Sequence, residues 1–288
     1  MTSVDSPSMA HQEIGSRICV TPPYFALRNL TSDRPGVASA DVPVQSPTGR
    51  QVTRINVAEA GRHLAILGLC AAAGTHPSSD RHYYLAHRGV GRMYPPVDVA
   101  GGLTGTATAR MVGRRRAVAE TVLHDAEGNL VARLDLEYLV LQVPVFRRLM
   151  GRPGAPDATE PANPYSAPAP LSDVAVHAGT ATAKLAVEAE MCRGHFDGYP
   201  ALPVSVAGYA AFALFDHVHE LTAGADAGWQ AGVYRLRADH LAAAGELCTV
   251  DVEPSAPAEP EASEHAFTGT VRSDDREIFS IAVDYSTR

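Results

Sequence analysis

Two stretches of this chain are apolar on every helical face, and each is followed by a series of strand-like runs; this pairing limits the fold more than any other feature. Over residues 55–73, Val57, Ala60, Leu64, Leu67 and Ala71 recur at helical spacing, while Ala65, Ile66, Leu69 and Cys70 fill the other faces. Residues 204–215 form a second apolar, Ala-rich run, within a buried helix expected over about 204–221. A helix apolar all round has to be buried, so each needs a sheet to wrap it. Strand-like runs follow the first at 82–86, 104–112, 116–123 and 130–143, the last two closed as a hairpin by Asp125-Ala126-Glu127-Gly128-Asn129. A strand-like run at 183–191 precedes the second helix, and others follow at 232–238, 246–252, 266–272 and 278–285. The closing hairpins match, with Thr121-Val122, Asp125 and Tyr138 answered by Thr270-Val271, Asp274 and Tyr285. The pattern is a divergent internal repeat with a unit of about 120 to 130 residues.

A buried helix wrapped by a long antiparallel sheet is the hotdog architecture. The expected fold is therefore α+β, a tandem (double) hotdog of two antiparallel sheets, each wrapped around a central helix, forming a pseudo-dimer in which the open sheet edges pair. Residues 1–13 have the composition of a disordered tail, 14–147 form the first hotdog domain, 148–172 a Pro- and Ala-rich linker, and 173–288 the second hotdog domain. Within the first domain, residues 14–30 read as a strand with irregular flanks and 31–50 as loop.

The bulk properties narrow the partners. Of 288 residues 45% are hydrophobic and 19% charged, which is ordinary for a globular protein. The net charge of −8 argues against nucleic acid, since phosphate binding needs a basic face. No apolar run is long enough to cross a membrane and the first fifteen residues lack the apolar core of a secretory signal, so a cytoplasmic protein is expected. Cys19, Cys70, Cys192 and Cys248 stand far apart with no C-x-x-C pair and read as free thiols.

Chemistry concentrates on the turn before the second helix. Gly194-His195-Phe196-Asp197-Gly198-Tyr199-Pro200-Ala201-Leu202-Pro203 puts a histidine on a Gly- and Pro-punctuated turn aimed at a helix start, where a side-chain base and free backbone N–H donors converge. This run resembles the G-H-F-P-G-x-P-x-x-P-G signature of the bacterial type II 3-hydroxyacyl-acyl-carrier-protein dehydratases. In that family the histidine works with an acidic residue fourteen positions later, on the helix. Here that position is Tyr209, Asp197 replaces a proline, and Val204 replaces the glycine whose amide binds the thioester oxygen. The first helix reads Glu59-Ala60-Gly61-Arg62-His63, similar to E-A-x-A-Q of the same family and to the D-x-x-x-Q/H element of polyketide-synthase dehydratase domains. Fourteen residues before Glu59 stands Gln45, in a decayed H-F-P-G, Gln45-Ser46-Pro47-Thr48-Gly49.

The resemblance implies one complete site, His195 facing Glu59 across the pseudo-dimer, and one dead site, Gln45 facing Tyr209. Eliminating water from a 3-hydroxyacyl thioester requires a base for the C2 proton and an acid for the departing C3 hydroxyl. His195 takes the first role and Glu59, protonated or acting through a water, the second; the Val204 N–H, with Gly198, holds the thioester oxygen. His63 on the same face as Glu59, together with Asp197 and Tyr199, would support the pair. Arg114, Arg115 and Arg116 could meet the phosphopantetheine or the acidic carrier, although a solvent-facing strand turn is the commoner fate of such a run. No metal or other cofactor is implied, because the substrate arrives on the phosphopantetheine of an acyl carrier protein or on coenzyme A, and a homodimer of double hotdogs is conceivable. Rival readings are a hotdog acyl thioesterase and a catalytically inactive acyl-chain or carrier-protein binder. All of this turns on whether the Glu59 carboxylate and the His195 ring line one pocket.

Overall fold

A computed structural model describes residues 9–97, 101–151, 163–196, 198–259, 263 and 265–288. Its helices are α1 (Met9–Arg17), α2 (Val57–Thr75), α3 (Val143–Met150) and α4 (Val204–Ala223). Its strands are β1 (Arg28–Thr31), β2 (Val37–Val42), β3 (His82–Met93), β4 (Leu103–Met111), β5 (Arg116–His124), β6 (Leu130–Gln142), β7 (Leu171–His177), β8 (Thr180–Ala186), β9 (Trp229–Ala238), β10 (Leu247–Ser255), β11 (His265–Ser273) and β12 (Arg276–Thr287).

All twelve strands join one sheet in the order β1-β2-β4-β5-β6-β3-β9-β12-β11-β10-β8-β7. Adding six to each strand number of the first half gives the second half in mirror order, so the topology itself repeats. Two separate sheets were expected; instead β3 and β9 pair antiparallel from Arg88↔Arg237 to Arg92↔Val233 and make the sheet continuous. The physical reason is that each half ends in a strand with an unspent row of N–H and C=O groups, and the other half supplies the matching row.

The sheet curls around α2 and α4, whose apolar faces explain its alternation. Strand β4 alternates buried and exposed along Leu103–Met111, one side facing α2 and the other solvent. Leu64, Leu67, Cys70 and Ala72 on α2 and Ala210, Ala211 and Leu214 on α4 are fully buried. Gly68 shows how closely helix and sheet approach: a Cβ there would stand 2.5 Å from the Tyr138 Oη, which donates to the Ala65 carbonyl at 2.7 Å. The closing hairpin that betrayed the repeat in the sequence thus locks the sheet onto the helix.

Several boundaries differ from expectation. The polar segment expected as a tail forms α1 from Met9, and the segment expected as a strand is irregular until β1. Strand β2 lies inside the stretch expected to be loop, and α3 and a 3-10 turn, Pro164–Ser166, interrupt the expected linker. The second half opens with two strands, β7 and β8, where one was expected. All four cysteines are buried, and none forms a disulfide. Among the described residues no helix is long and apolar enough to cross a membrane.

Candidate functional site

The turn before α4 is built to hold an imidazole. Gly194 has a φ of 75°, and a Cβ there would stand 2.2 Å from the Thr21 carbonyl oxygen, so only glycine fits where the N-terminal segment crosses. That segment clamps the turn through a bridge between Val20 and His195 and a Thr21 N–H to Gly194 carbonyl bond of 2.9 Å. Phe196 adopts a φ of 71°, a left-handed conformation that costs an L residue about 1 kcal/mol or more. Packing holds it there: its ring meets Tyr83 at 5.3 Å and Phe146 at 5.1 Å between centroids.

His195 is buried, and its Nδ1 lies 2.9 Å from the Ala201 carbonyl. A carbonyl can only accept, so Nδ1 carries the proton and Nε2 keeps its lone pair. Burial pushes the imidazole pKa down to about 4, against a smaller opposing effect of that hydrogen bond. The ring is a neutral base at physiological pH. It lines an apolar cavity of about 440 Å³ between the two helices and the central strands, with Gly61, Ala65 and Leu69 of α2, Gly208 and Phe212 of α4, and Phe279 of β12 on its walls.

The start of α4 lies on the same wall. Pro203 stands at the N-cap position and offers no side-chain acceptor, so the first-turn amides of Val204 and Ser205 are uncapped beside the cavity. Such amides, at the positive end of a helix, suit an oxygen that gains negative charge. Tyr24, absent from the sequence reading, completes this end. Its ring meets the His195 ring at 4.8 Å and 61°, and its hydroxyl accepts from Ser205 Oγ at 3.4 Å. Burial pushes its pKa up, keeping it a phenol.

Among the described residues no contact joins Glu59 to His195. Glu59 lines a small recess with Ser46, Tyr165 and Tyr209, and this recess shares Ala58, Arg62 and Ser205 with the main cavity. Its carboxylate accepts the Gln45 N–H at 2.7 Å and the Ser46 N–H at 3.1 Å, with Arg62 3.6 Å and His63 3.5 Å from Oε1. The reason is local. Side chains lean toward the N-terminus of their helix, and Glu59, in the first turn of α2, leans onto the 45–46 amides, which it satisfies. Asn56 caps the helix separately, accepting from Ala58 N–H at 2.8 Å. The Tyr209 hydroxyl donates to the Pro47 carbonyl at 2.9 Å, so Tyr209 does face the decayed turn of the first half, and Glu59 shares that side.

The remaining expected residues scatter. Val204 is on the cavity wall; Gly198 and Tyr199 are not, and Tyr199 packs on Phe146 at 5.9 Å. His63 is fully buried behind Glu59, its pKa pushed down to about 4 by burial. Arg114, Arg115 and Arg116 are exposed on the β4–β5 turn, away from the cavity. Asp197 lies outside the described residues. The cavity lining also includes the polar residues His87, midway along β3, Asp239 and His240, just past β9, and Arg276 at the start of β12, none of which periodicity could single out.

No protein-family model matches the chain, and no curated protein matches it in sequence. Solved structures do. An acyl-ACP thioesterase from Bacteroides thetaiotaomicron superposes with a TM-score of 0.55 at 12% identity, covering 89% of this chain and all (100%) of that one. The 12:0-ACP thioesterase from Umbellularia californica gives 0.55 at 8% identity over 90% and 100%. A MaoC-like dehydratase reaches only 0.45 at 12% identity over 70% and 77%, too distant to argue from. The likeness shows the fold alone. Fold is shared among these enzymes, and the chemistry has to be read from the residues.

Proposed function

We propose that this double-hotdog chain is a dehydratase that eliminates water from a 3-hydroxyacyl thioester, carried on an acyl carrier protein or coenzyme A, to give a 2-enoyl thioester. The observation that carries the reading is the His195 ring, fixed by Ala201 with its Nε2 lone pair unspent, in an apolar cavity beside the uncapped amides of α4. With the thioester oxygen on the Val204 N–H, negative charge developing at that oxygen is stabilised while His195 takes the C2 proton. The resulting imidazolium is a strong acid, because burial disfavours it, and it can return the proton to the C3 oxygen as the C3–O bond breaks. The balance is one thioester in, one enoyl thioester and one water out, with His195 again neutral.

The position of Glu59 favours one alternative, hydrolysis of the same thioester, since water attack needs the base and the amides but no acid for a C3 hydroxyl. A 3-hydroxyacyl pantetheine thioester distinguishes them. Enoyl absorbance without free thiol supports elimination; free thiol without enoyl product overturns it. His195→Ala is expected to lower the rate by about 10³-fold with little change in melting temperature.

A further inference from the structure

We propose that Tyr24, on the N-terminal segment that clamps the His195 turn, is a catalytic hydrogen-bond donor to the C3 oxygen that leaves. This rests on the elimination reading above and fills the gap that Glu59 leaves in it. Three observations carry it. The Tyr24 ring lies against His195, at 4.8 Å between centroids, and both line the one cavity. The Tyr24 oxygen accepts from Ser205 Oγ at 3.4 Å, and among the described residues its own proton has no acceptor, so that proton is available to a bound ligand. The segment is also held in place: Val20 bridges to His195, and the Tyr24 ring packs edge-on against Tyr165 at 5.3 Å.

A hydroxyl held this way donates a hydrogen bond without losing its proton. His195 Nε2 removes the C2 proton, the C3–O electron pair stays with the leaving oxygen, and the imidazolium supplies the proton that makes it water. Tyr24 stabilises the charge that builds on that oxygen and ends the cycle unchanged.

Tyr24→Phe removes only the hydroxyl. On a 3-hydroxyacyl pantetheine thioester its kcat is expected to fall roughly 10- to 100-fold, with KM changed by less than about threefold. On the matching 3-chloroacyl thioester, whose chloride leaves without a strong hydrogen bond, enoyl formation above the spontaneous background should stay within about threefold of the native enzyme. Equal loss on both substrates would mean that Tyr24 merely shapes the His195 turn, and full activity on the hydroxy substrate would mean that it does nothing there; either overturns the inference while leaving the His195 reading intact if His195→Ala is inactive. A native enzyme that releases thiol and makes no enoyl product sinks both. A tetrafluorotyrosine at position 24 keeps the ring and guards against misfolding of the phenylalanine variant. Its more acidic phenol should bring the alkaline limb of the kcat profile to lower pH, and an unmoved limb counts against the proposal.

Discussion

Glu59 illustrates why spacing is weaker evidence than burial and hydrogen-bond supply. The fourteen-residue interval correctly linked Glu59 to position 45, yet the link is a carboxylate satisfying the backbone of its own half. Glu59→Gln keeps the shape but leaves one of the two backbone N–H groups without an acceptor, costing about 1–3 kcal/mol. The expected result is a melting temperature several degrees lower with the enoyl-forming rate of the folded protein within about tenfold of native. Loss of activity without loss of stability would return Glu59 to the reaction. His195 and His63 make a second prediction. Both pKa values are held near 4 by burial, below the ordinary value of 6.5, so the unfolded chain binds protons that the native chain refuses. Their contribution is complete above pH 6.5 and is lost as pH falls toward 4, by up to roughly 3 kcal/mol each. Urea midpoints at pH 7 and at pH 4.5 should differ accordingly, and His195→Gln should narrow the difference.

At the scale of elements, the sequence was readable wherever burial imposes a period. Helices α2 and α4 lie within a few residues of their expected bounds because an all-round apolar run leaves little choice. Strands β2 and β7 were missed for the opposite reason. Strand β2, Val-Ala-Ser-Ala-Asp-Val, alternates only between small residues, and β7 is largely exposed at the sheet edge, so neither shows a hydrophobic rhythm. Tyr24 escaped because it sits on irregular chain, where no period exists to mark a site residue. Gly208 on α4 tests the link between helix and cavity. A Cβ there would stand 3.5 Å from Phe279 and 3.8 Å from the Ala58 Cβ, in ordinary contact. Gly208→Ala should therefore stabilise the helix by about 0.5–1 kcal/mol, raising the melting temperature by roughly 2–3 °C. The same methyl intrudes on the cavity wall, so kcat/KM should decline for long acyl thioesters more than for short ones. A uniform decline across chain lengths would show that the acyl chain does not pass Gly208.

For the whole molecule, duplication has made one asymmetric cavity from two similar halves. Its walls come from α2, β3 and β6 on one side and α4, β9 and β12 on the other, and its His195 turn is pinned by a segment from the far N-terminus. The resemblance anticipated a site shared between halves; in the structure the first half brings apolar wall and the Tyr24 ring beside His195, while the Glu59 carboxylate holds the 45–46 amides of the decayed turn. What joins the halves is the β3–β9 ladder and the packing of α2 on α4. Tyr165 donates to the Arg193 carbonyl at 2.5 Å and accepts through its own carbonyl from Ser46 Oγ at 2.5 Å, stitching the second half's turn to the first half's loop. A chain cut once between Gly151 and Asn163 should therefore keep both pieces in a single particle, because separating them would expose two paired strand edges and open the cavity to water. Size-exclusion chromatography of the cut protein should show the intact mass, with the enoyl-forming rate within about threefold of native. Should the pieces part without denaturant, the covalent connection rather than the continuous sheet would be what assembles the site.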